Sequence, residues 1–222
     1  MGVTRTRGRP DRLLVAVWLA AALDVAMLVV AAARGTDVIR DAAGSVTTGF
    51  NVAMSLVVTL AFVLAVPWSR LPLRLARSVQ LYALLAQAAH ASGHLAGFYY
   101  SFRPFDDVLH VGLTGGAAVL GLRAAQAWRL FPVRHSTRVR AAVLAVVAGL
   151  AVAGAWEIFE YGSDEILGSR EQDDLDDTMR DMIMGLGGAV LAAGWLAWRP
   201  RADGASAARG AREAGTSKDA KD

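Results

Sequence analysis

Acidic and histidine side chains recur inside the hydrophobic stretches of this 222-residue chain. A charge in the hydrocarbon layer of a membrane costs a few kcal/mol or more, so such residues normally face a protein interior and mark a functional site. Imidazole and carboxylate groups bind Zn, Mn, Fe or Mg, and they also transfer protons. The candidates are Asp24, His90, His94, Asp106, His110, Glu157, Glu160, Asp174, Asp177 and Asp181.

The spacing of the first candidates suits a helix. His90 and His94 lie four residues apart and share a helical face, which suits two ligands on one metal. The alternative is that each imidazole hydrogen-bonds to a neighbouring helix. Asp106 comes at the start of the next apolar stretch, where an aspartate caps free backbone N–H groups. Capping does not explain His110, which Asp106 can reach across one turn.

Two later segments carry paired acids. Glu157 and Glu160 are one turn apart, so they repel each other unless a cation or a shared proton lies between them. Asp174, Asp177 and Asp181 fall on one face if their helix begins early, although Thr178 and Asp181 also fit a capping box. The neighbouring Arg180 is a candidate partner for these acids or for an anionic lipid headgroup.

Six apolar segments are long enough to cross about 30 Å of hydrocarbon as helices. Hydrophobic residues make up 55% of the chain, which is typical of a membrane protein. The sequence therefore predicts an all-α, polytopic membrane bundle of about six transmembrane helices. Their predicted spans are 13–33, 46–66, 73–98, 105–127, 139–162 and 178–198, within one domain over 13–198.

The basic residues predict the direction of these helices. With a cytoplasmic N-terminus, 18 of the 23 basic residues fall on the cytoplasmic side, which the positive-inside rule favours. Both termini are then cytoplasmic, and 14 of the 20 acidic residues lie at the outer side. Because the basic residues flank apolar segments rather than forming one patch, we expect a membrane protein and no nucleic-acid partner.

The two ends of the chain receive separate interpretations. Residues 1–12 are predicted to be a basic cytoplasmic segment, and 199–222 a disordered cytoplasmic tail. The first apolar run and Ala31–Ala33 also resemble a secretory signal peptide. A retained helix is favoured, because the run is long and contains Asp24. The chain has no cysteine, which excludes disulfides and thiolate ligands.

Three motifs carry a resemblance to a known family. They are Phe105-Asp106-x-x-x-His110, Trp156-Glu157-x-x-Glu160-Tyr161 and Asp174-x-x-Asp177-Thr178-x-x-Asp181-Met182. In order and spacing they resemble the YjdF-like family of bacterial inner-membrane proteins, over about residues 70–198. A looser similarity connects them to VanZ-like membrane proteins, which implies a link to the cell envelope. The resemblance implies that Asp106, His110, Glu157, Glu160, Asp174, Asp177 and Asp181 are family positions, and it brings no established activity.

Three functions stay open from the sequence. The first is a metal-dependent enzyme acting on a lipid or lipid-linked envelope substrate. The second is a proton- or ion-coupled transporter, which Asp24 favours. The third is a non-enzymatic partner or structural protein in which the acids form a polar plug.

For the enzyme, the residues receive named roles. We expect His110, Glu157 and Asp181 as metal ligands, with His90, His94 and Asp177 as further candidates. Asp106 would orient a ligand, and Glu160 would be the general base. The sequence leaves the metal and the oligomeric state open.

Overall fold

The computed structural model describes residues 11–34, 48–102, 104–130, 138–167, 172 and 174–198. Within these ranges the chain is helical and contains no strand. This confirms the predicted all-α membrane bundle. The helices are α1 (Arg12–Arg34), α2 (Thr48–Ala65), α3 (Leu73–Leu95), the single turn α4 (Phe98–Ser101), α5 (Pro104–Ala127), α6 (Arg138–Leu167) and α7 (Leu175–Trp198), with a 3-10 turn at Val66–Ser69.

Six of these helices are long, and each lies within a few residues of a predicted span. Four of them, α1, α5, α6 and α7, are apolar and long enough to cross a membrane on their own composition. The number of spans and the side of each terminus remain predictions. The predicted tail over 199–222 and nearly all of the N-terminal segment lie outside the described residues.

The long helices pack as two groups of three. Helices α1, α2 and α3 contact one another, as do α5, α6 and α7, and α3 connects the groups through α5. The first group buries a layer around Val17, Ala20 and Leu84 and another around Ala31, Val52 and Ala91. The second group packs small residues, with Ala118, Ala145 and Ala189 fully buried. Small side chains let membrane helices approach closely, which is how this group gains its packing contacts.

Helices α5 and α7 come closest at glycine positions. A Cβ atom on Gly188 would collide with the backbone carbonyl of Val111. A Cβ on Gly115 would lie 3.1 Å from the carbonyl oxygen of Gly188. Val111 follows His110 directly, so this crossing lies beside the ionisable residues of both helices.

The helix starts are set by local capping. Pro104 opens α5, where its missing N–H is no loss, and Asp106 and Asp107 lie in the first turn. Asp174 caps α7, because its Oδ1 accepts a hydrogen bond from the backbone N–H of Asp177 at 2.9 Å. Helix α7 therefore begins at Leu175, three residues before the predicted span, and a capping box at Thr178 is not what starts it.

Candidate metal centre

The crossing of α5 and α7 brings one histidine and two aspartates together. His110 Nε2 lies 3.5 Å from Asp106 Oδ1 and 3.5 Å from Asp181 Oδ2. Asp106 reaches His110 across one turn of α5, while Asp181 comes from the second turn of α7. One ligand atom from each residue lies within 4.8 Å of the others, which makes this a group that could hold a metal ion.

These distances are compatible with ligands around a metal, and His110 and Asp106 also interact as a hydrogen-bonding pair. A charge-assisted N–H···O bond is about 2.7–2.9 Å long, and both contacts exceed this length. Nitrogen and oxygen ligands about 2.1 Å from a tetrahedral Zn²⁺ lie about 3.4 Å from each other. The side chains of His110 and Asp181 are 11% and 6% exposed, so water reaches the group mainly from the side of Asp106 at 33%.

Glu157 lies beside this group and is not one of its three members. It is buried, and neither carboxylate oxygen has a hydrogen-bond partner within the described part of the chain. The groups that act on its carboxylate are His110, Asp177, Asp106 and the side-chain amide of Gln172, which lies close by without reaching good hydrogen-bond geometry. Asp181 Oδ1 is likewise buried without a partner. Buried polar atoms are nearly always hydrogen-bonded, so these oxygens are the atoms of the site that most need a cation, a proton or a water as partner.

Glu160 faces a different partner, although it is one turn from Glu157. Its Oε1 accepts a hydrogen bond of 2.7 Å from the indole Nε1 of Trp156 on the same helix. The Glu160 side chain is therefore held against Trp156, whose ring contacts His90 beside the site.

His90 and His94 form an aromatic layer next to the three-residue group and do not enter it. His90 Nδ1 lies 3.0 Å from the hydroxyl of Tyr99, and its ring meets the edge of Trp156 with 5.2 Å between centroids. The His94 ring lies 4.7 Å from the His90 ring. Both imidazoles are buried, and His94 interacts electrostatically with Asp106.

The remaining acidic residues at this end of the bundle lie around the group of Asp106, His110 and Asp181. Arg180 pairs with Asp107, with 2.5 Å between Nη2 and Oδ2. Asp174 is exposed and serves as the α7 cap, while Asp177 is half-buried near Glu157. Asp24 belongs to a different helix group, since it is buried on α1, which packs against α2 and α3.

Gln172 is a residue of the site that the sequence motifs do not single out. Its backbone N–H donates to Asp164 Oδ2 at 3.0 Å, and its side-chain amide donates to Thr178 Oγ1 at 3.0 Å. The same amide contacts the backbone carbonyl of Glu157 at 3.5 Å. Gln172 therefore joins the end of α6 to the start of α7 above the carboxylates. It lies between two apolar segments, where the sequence has no periodic pattern that could single it out.

The chain belongs to a family described as predicted membrane proteins (DUF2238), whose model matches residues 15–202. This match agrees with the resemblance to YjdF-like proteins, and it spans all seven helices except the first turn of α1. No curated protein and no solved structure matches the chain. The protein is thus a membrane protein of a family whose description names no activity, and its chemistry must be argued from the site.

Proposed function

We propose that this protein is a metal-dependent hydrolase of the bacterial cytoplasmic membrane, with its site at the extracytoplasmic end of the bundle. The observation that supports it most is the convergence of Asp106, His110 and Asp181 from two helices on one point. Three protein ligands with a fourth position left for water are typical of catalytic zinc sites. A metal held there would activate water or polarise a phosphoryl or acyl oxygen.

We assign each residue around the candidate centre a role from the contacts of its side chain. His110, Asp106 and Asp181 are the proposed ligands, which moves Asp106 into the ligand set. Glu157 is the proposed general base, since it is buried beside the ligands with both carboxylate oxygens unpaired. Glu160, bonded to Trp156, orients the wall of the site instead.

The proposed substrate is a lipid or a lipid-linked envelope precursor. The arginine distribution favours an outward-facing site with both termini in the cytoplasm. Asp106 and Asp107 lie in the first turn of α5, so the centre is close to the end of a helix that can span the membrane. Lipid headgroups lie at the membrane surface, so they are the chemical groups closest to a site at the end of this helix. Membrane lipids are accordingly its expected surroundings.

The unpaired oxygens argue against a polar plug. A plug that stabilises a bundle needs hydrogen-bonded members, because a half-satisfied buried network is worse than an apolar one. Glu157 and Asp181 together leave three buried carboxylate oxygens without a partner among the described residues. A metal and its water would satisfy them, whereas helix packing alone does not.

The test compares two glutamates one turn apart. Purified protein would be loaded with Zn²⁺ or Mn²⁺ and given phosphatidylglycerol or a polyprenyl diphosphate in mixed micelles, with headgroup or phosphate release measured. Glu157→Gln should lower turnover by a factor on the order of 10² or more while metal stays bound. Glu160→Gln is the matched control and should keep most of the activity.

Two results would count against the enzyme. Metal-loaded wild-type protein that hydrolyses neither lipid, at any metal tested, would contradict hydrolysis and leave metal binding standing. Equal activity of the Glu157→Gln variant and the wild type would remove Glu157 as the base.

A further inference from the structure

Asp24 is buried inside the α1–α3 group, and no residue in the described part of the chain pairs with its charge. It is 2% exposed, and neither carboxylate oxygen has a hydrogen-bond partner within the described residues. Ala20, one turn earlier, packs in the layer with Leu84, and Met27, one turn later, packs in the layer with Ala91. Asp24 therefore lies on the face of α1 that meets α3, at a level between these two residues of α3.

A hydrogen-bonded polar network occupies that level of the neighbouring helices. Gln87, buried and midway between Leu84 and Ala91, donates from Nε2 to Ser55 Oγ at 2.9 Å. Its Oε1 accepts from Thr59 Oγ1 at 3.2 Å, and Ser55 Oγ donates to the carbonyl of Val52 at 3.2 Å. The side-chain atoms of this network are three oxygens and one nitrogen, and oxygen is the atom type that binds both hard monovalent cations and protons.

No basic side chain of the three helices is placed to neutralise Asp24. Arg12 precedes it by twelve residues and Arg34 follows it by ten, which are about 18 Å and 15 Å along the helix. Arg77 precedes Gln87 by ten residues, again about 15 Å, and pairs with Asp11. Helix α2 contains no ionisable side chain. The other titratable groups of α3 have other surroundings. Arg74 lies in the first turn of the helix, and the Tyr82 hydroxyl donates to the carbonyl of Leu113. His90 contacts the hydroxyl of Tyr99, and His94 interacts electrostatically with Asp106.

We propose that Asp24 is a membrane-embedded binding site for one monovalent cation, a proton or Na⁺, separate from the metal centre. A charged carboxylate in the bundle interior is unfavourable unless it is neutralised, and none of the described residues pairs with Asp24, so a bound cation is the partner that we infer. The site lies in the helix group that does not contain the metal ligands. Ion binding there is a function that hydrolysis at the outer end does not require.

The experiment labels the wild-type carboxylate and so needs no folded variant. Full-length protein in phospholipid vesicles would be treated with dicyclohexylcarbodiimide, a lipid-soluble reagent that attacks protonated carboxyl groups. Modification at Asp24 would be quantified by peptide mass spectrometry across a pH series, with Na⁺ or with choline at equal ionic strength. Asp11, half-exposed and paired with Arg77, is the internal control and should stay unmodified. The Asp24→Asn variant supplies the blank.

The site predicts that Asp24 is labelled in the folded protein and that labelling falls as the pH rises and the proton leaves. Protection by Na⁺ but not by choline would identify Na⁺ as the ligand, and equal labelling in both salts would identify the proton. Labelling that is unchanged by both pH and Na⁺ would show a permanently neutral structural carboxyl and overturn the proposal. The proposal would also be overturned if Asp24 were labelled only after the protein is unfolded. Bound metal should be the same in the Asp24→Asn variant and the wild type, which keeps this test independent of the metal centre.

Discussion

At the scale of single residues, the site rests on which oxygen and nitrogen atoms have partners. Asp107 and Asp106 are neighbours in the first turn of α5, yet they face different groups. Asp107 pairs with the exposed Arg180, whereas Asp106 lies 3.5 Å from the imidazole of His110. The two aspartates therefore form a natural pair of test positions, alike in sequence context and unlike in contacts.

We predict that Asp106→Asn weakens zinc binding by at least about tenfold, because it removes one of the three charged or imidazole ligands. The matched variant Asp107→Asn should bind zinc with unchanged affinity, since it loses only a rim ion pair. Competition against a zinc-sensitive dye in detergent solution would measure both constants. Equal affinities in the two variants would remove Asp106 from the centre.

The residue types of the site could be predicted from the sequence, but their grouping could not. His110 and Asp181 were singled out because a histidine and an acid inside apolar stretches demand an explanation. The sequence predicts that Asp106 orients a ligand, and the structure leaves that role open while placing its Oδ1 3.5 Å from His110 Nε2 in a group that could hold a metal ion. Helical spacing tells which residues share a face, but the reach of a side chain depends on its rotamer and on the crossing helix. The same holds for Glu160. Its hydrogen bond from Trp156 depends on the rotamers of both side chains, which helical spacing does not give.

At the scale of elements, glycine packing between α5 and α7 positions the centre. Helical periodicity and length predicted the six long helices within a few residues. The contact points were harder to predict. Gly112 and Gly116 are spaced as a small-residue pair, yet a Cβ on Gly112 would meet nothing within 4 Å, whereas one on Gly116 would collide with the Tyr82 ring of α3. Gly188 is the position that meets the other backbone. Many glycines occur in these helices, so only the crossing angle decides which of them lie at the contact.

We predict that Gly188→Ala destabilises the protein by about 1–3 kcal/mol or more and lowers its zinc affinity, because the new methyl group collides with the Val111 carbonyl and separates the ligand helices. A backbone atom cannot rotate away as a side chain can. Thermal unfolding in detergent with and without zinc would show both effects.

Gly187→Ala is the control for this variant, since a Cβ there meets nothing within 4 Å. It should unfold within about 1 kcal/mol of the wild type, because alanine also favours the helix. If both variants were equally stable and bound zinc equally well, the glycine crossing would not be what holds the centre together.

At the scale of the whole molecule, the fold combines two helix groups with different polar content. The α5–α7 group holds the candidate metal centre at one end, and the α1–α3 group holds Asp24 in its interior. The low hydropathy of α3 has a direct cause. It carries Gln80, Gln87, His90 and His94, so it is less apolar than the four helices identified as candidate spans.

We predict that the end of the bundle with the metal centre faces outward. The chain has no native cysteine, so single cysteines can be introduced without a background. Asp176→Cys, at the exposed start of α7, should react with a membrane-impermeant maleimide on intact cells. Leu130→Cys, exposed after the end of α5, should react only after permeabilisation. The reverse labelling pattern would place the site in the cytoplasm and end the proposal of an envelope substrate.

The central claim is that Asp106, His110 and Asp181 bind one metal ion. The most direct measurement is the zinc content of purified full-length protein after saturation and desalting, beside that of the Asp181→Asn variant purified in the same way. The account predicts about one zinc per wild-type chain and a large loss in the variant. A folded wild-type protein that retains no zinc, manganese or iron, or a variant that retains as much as the wild type, would contradict it.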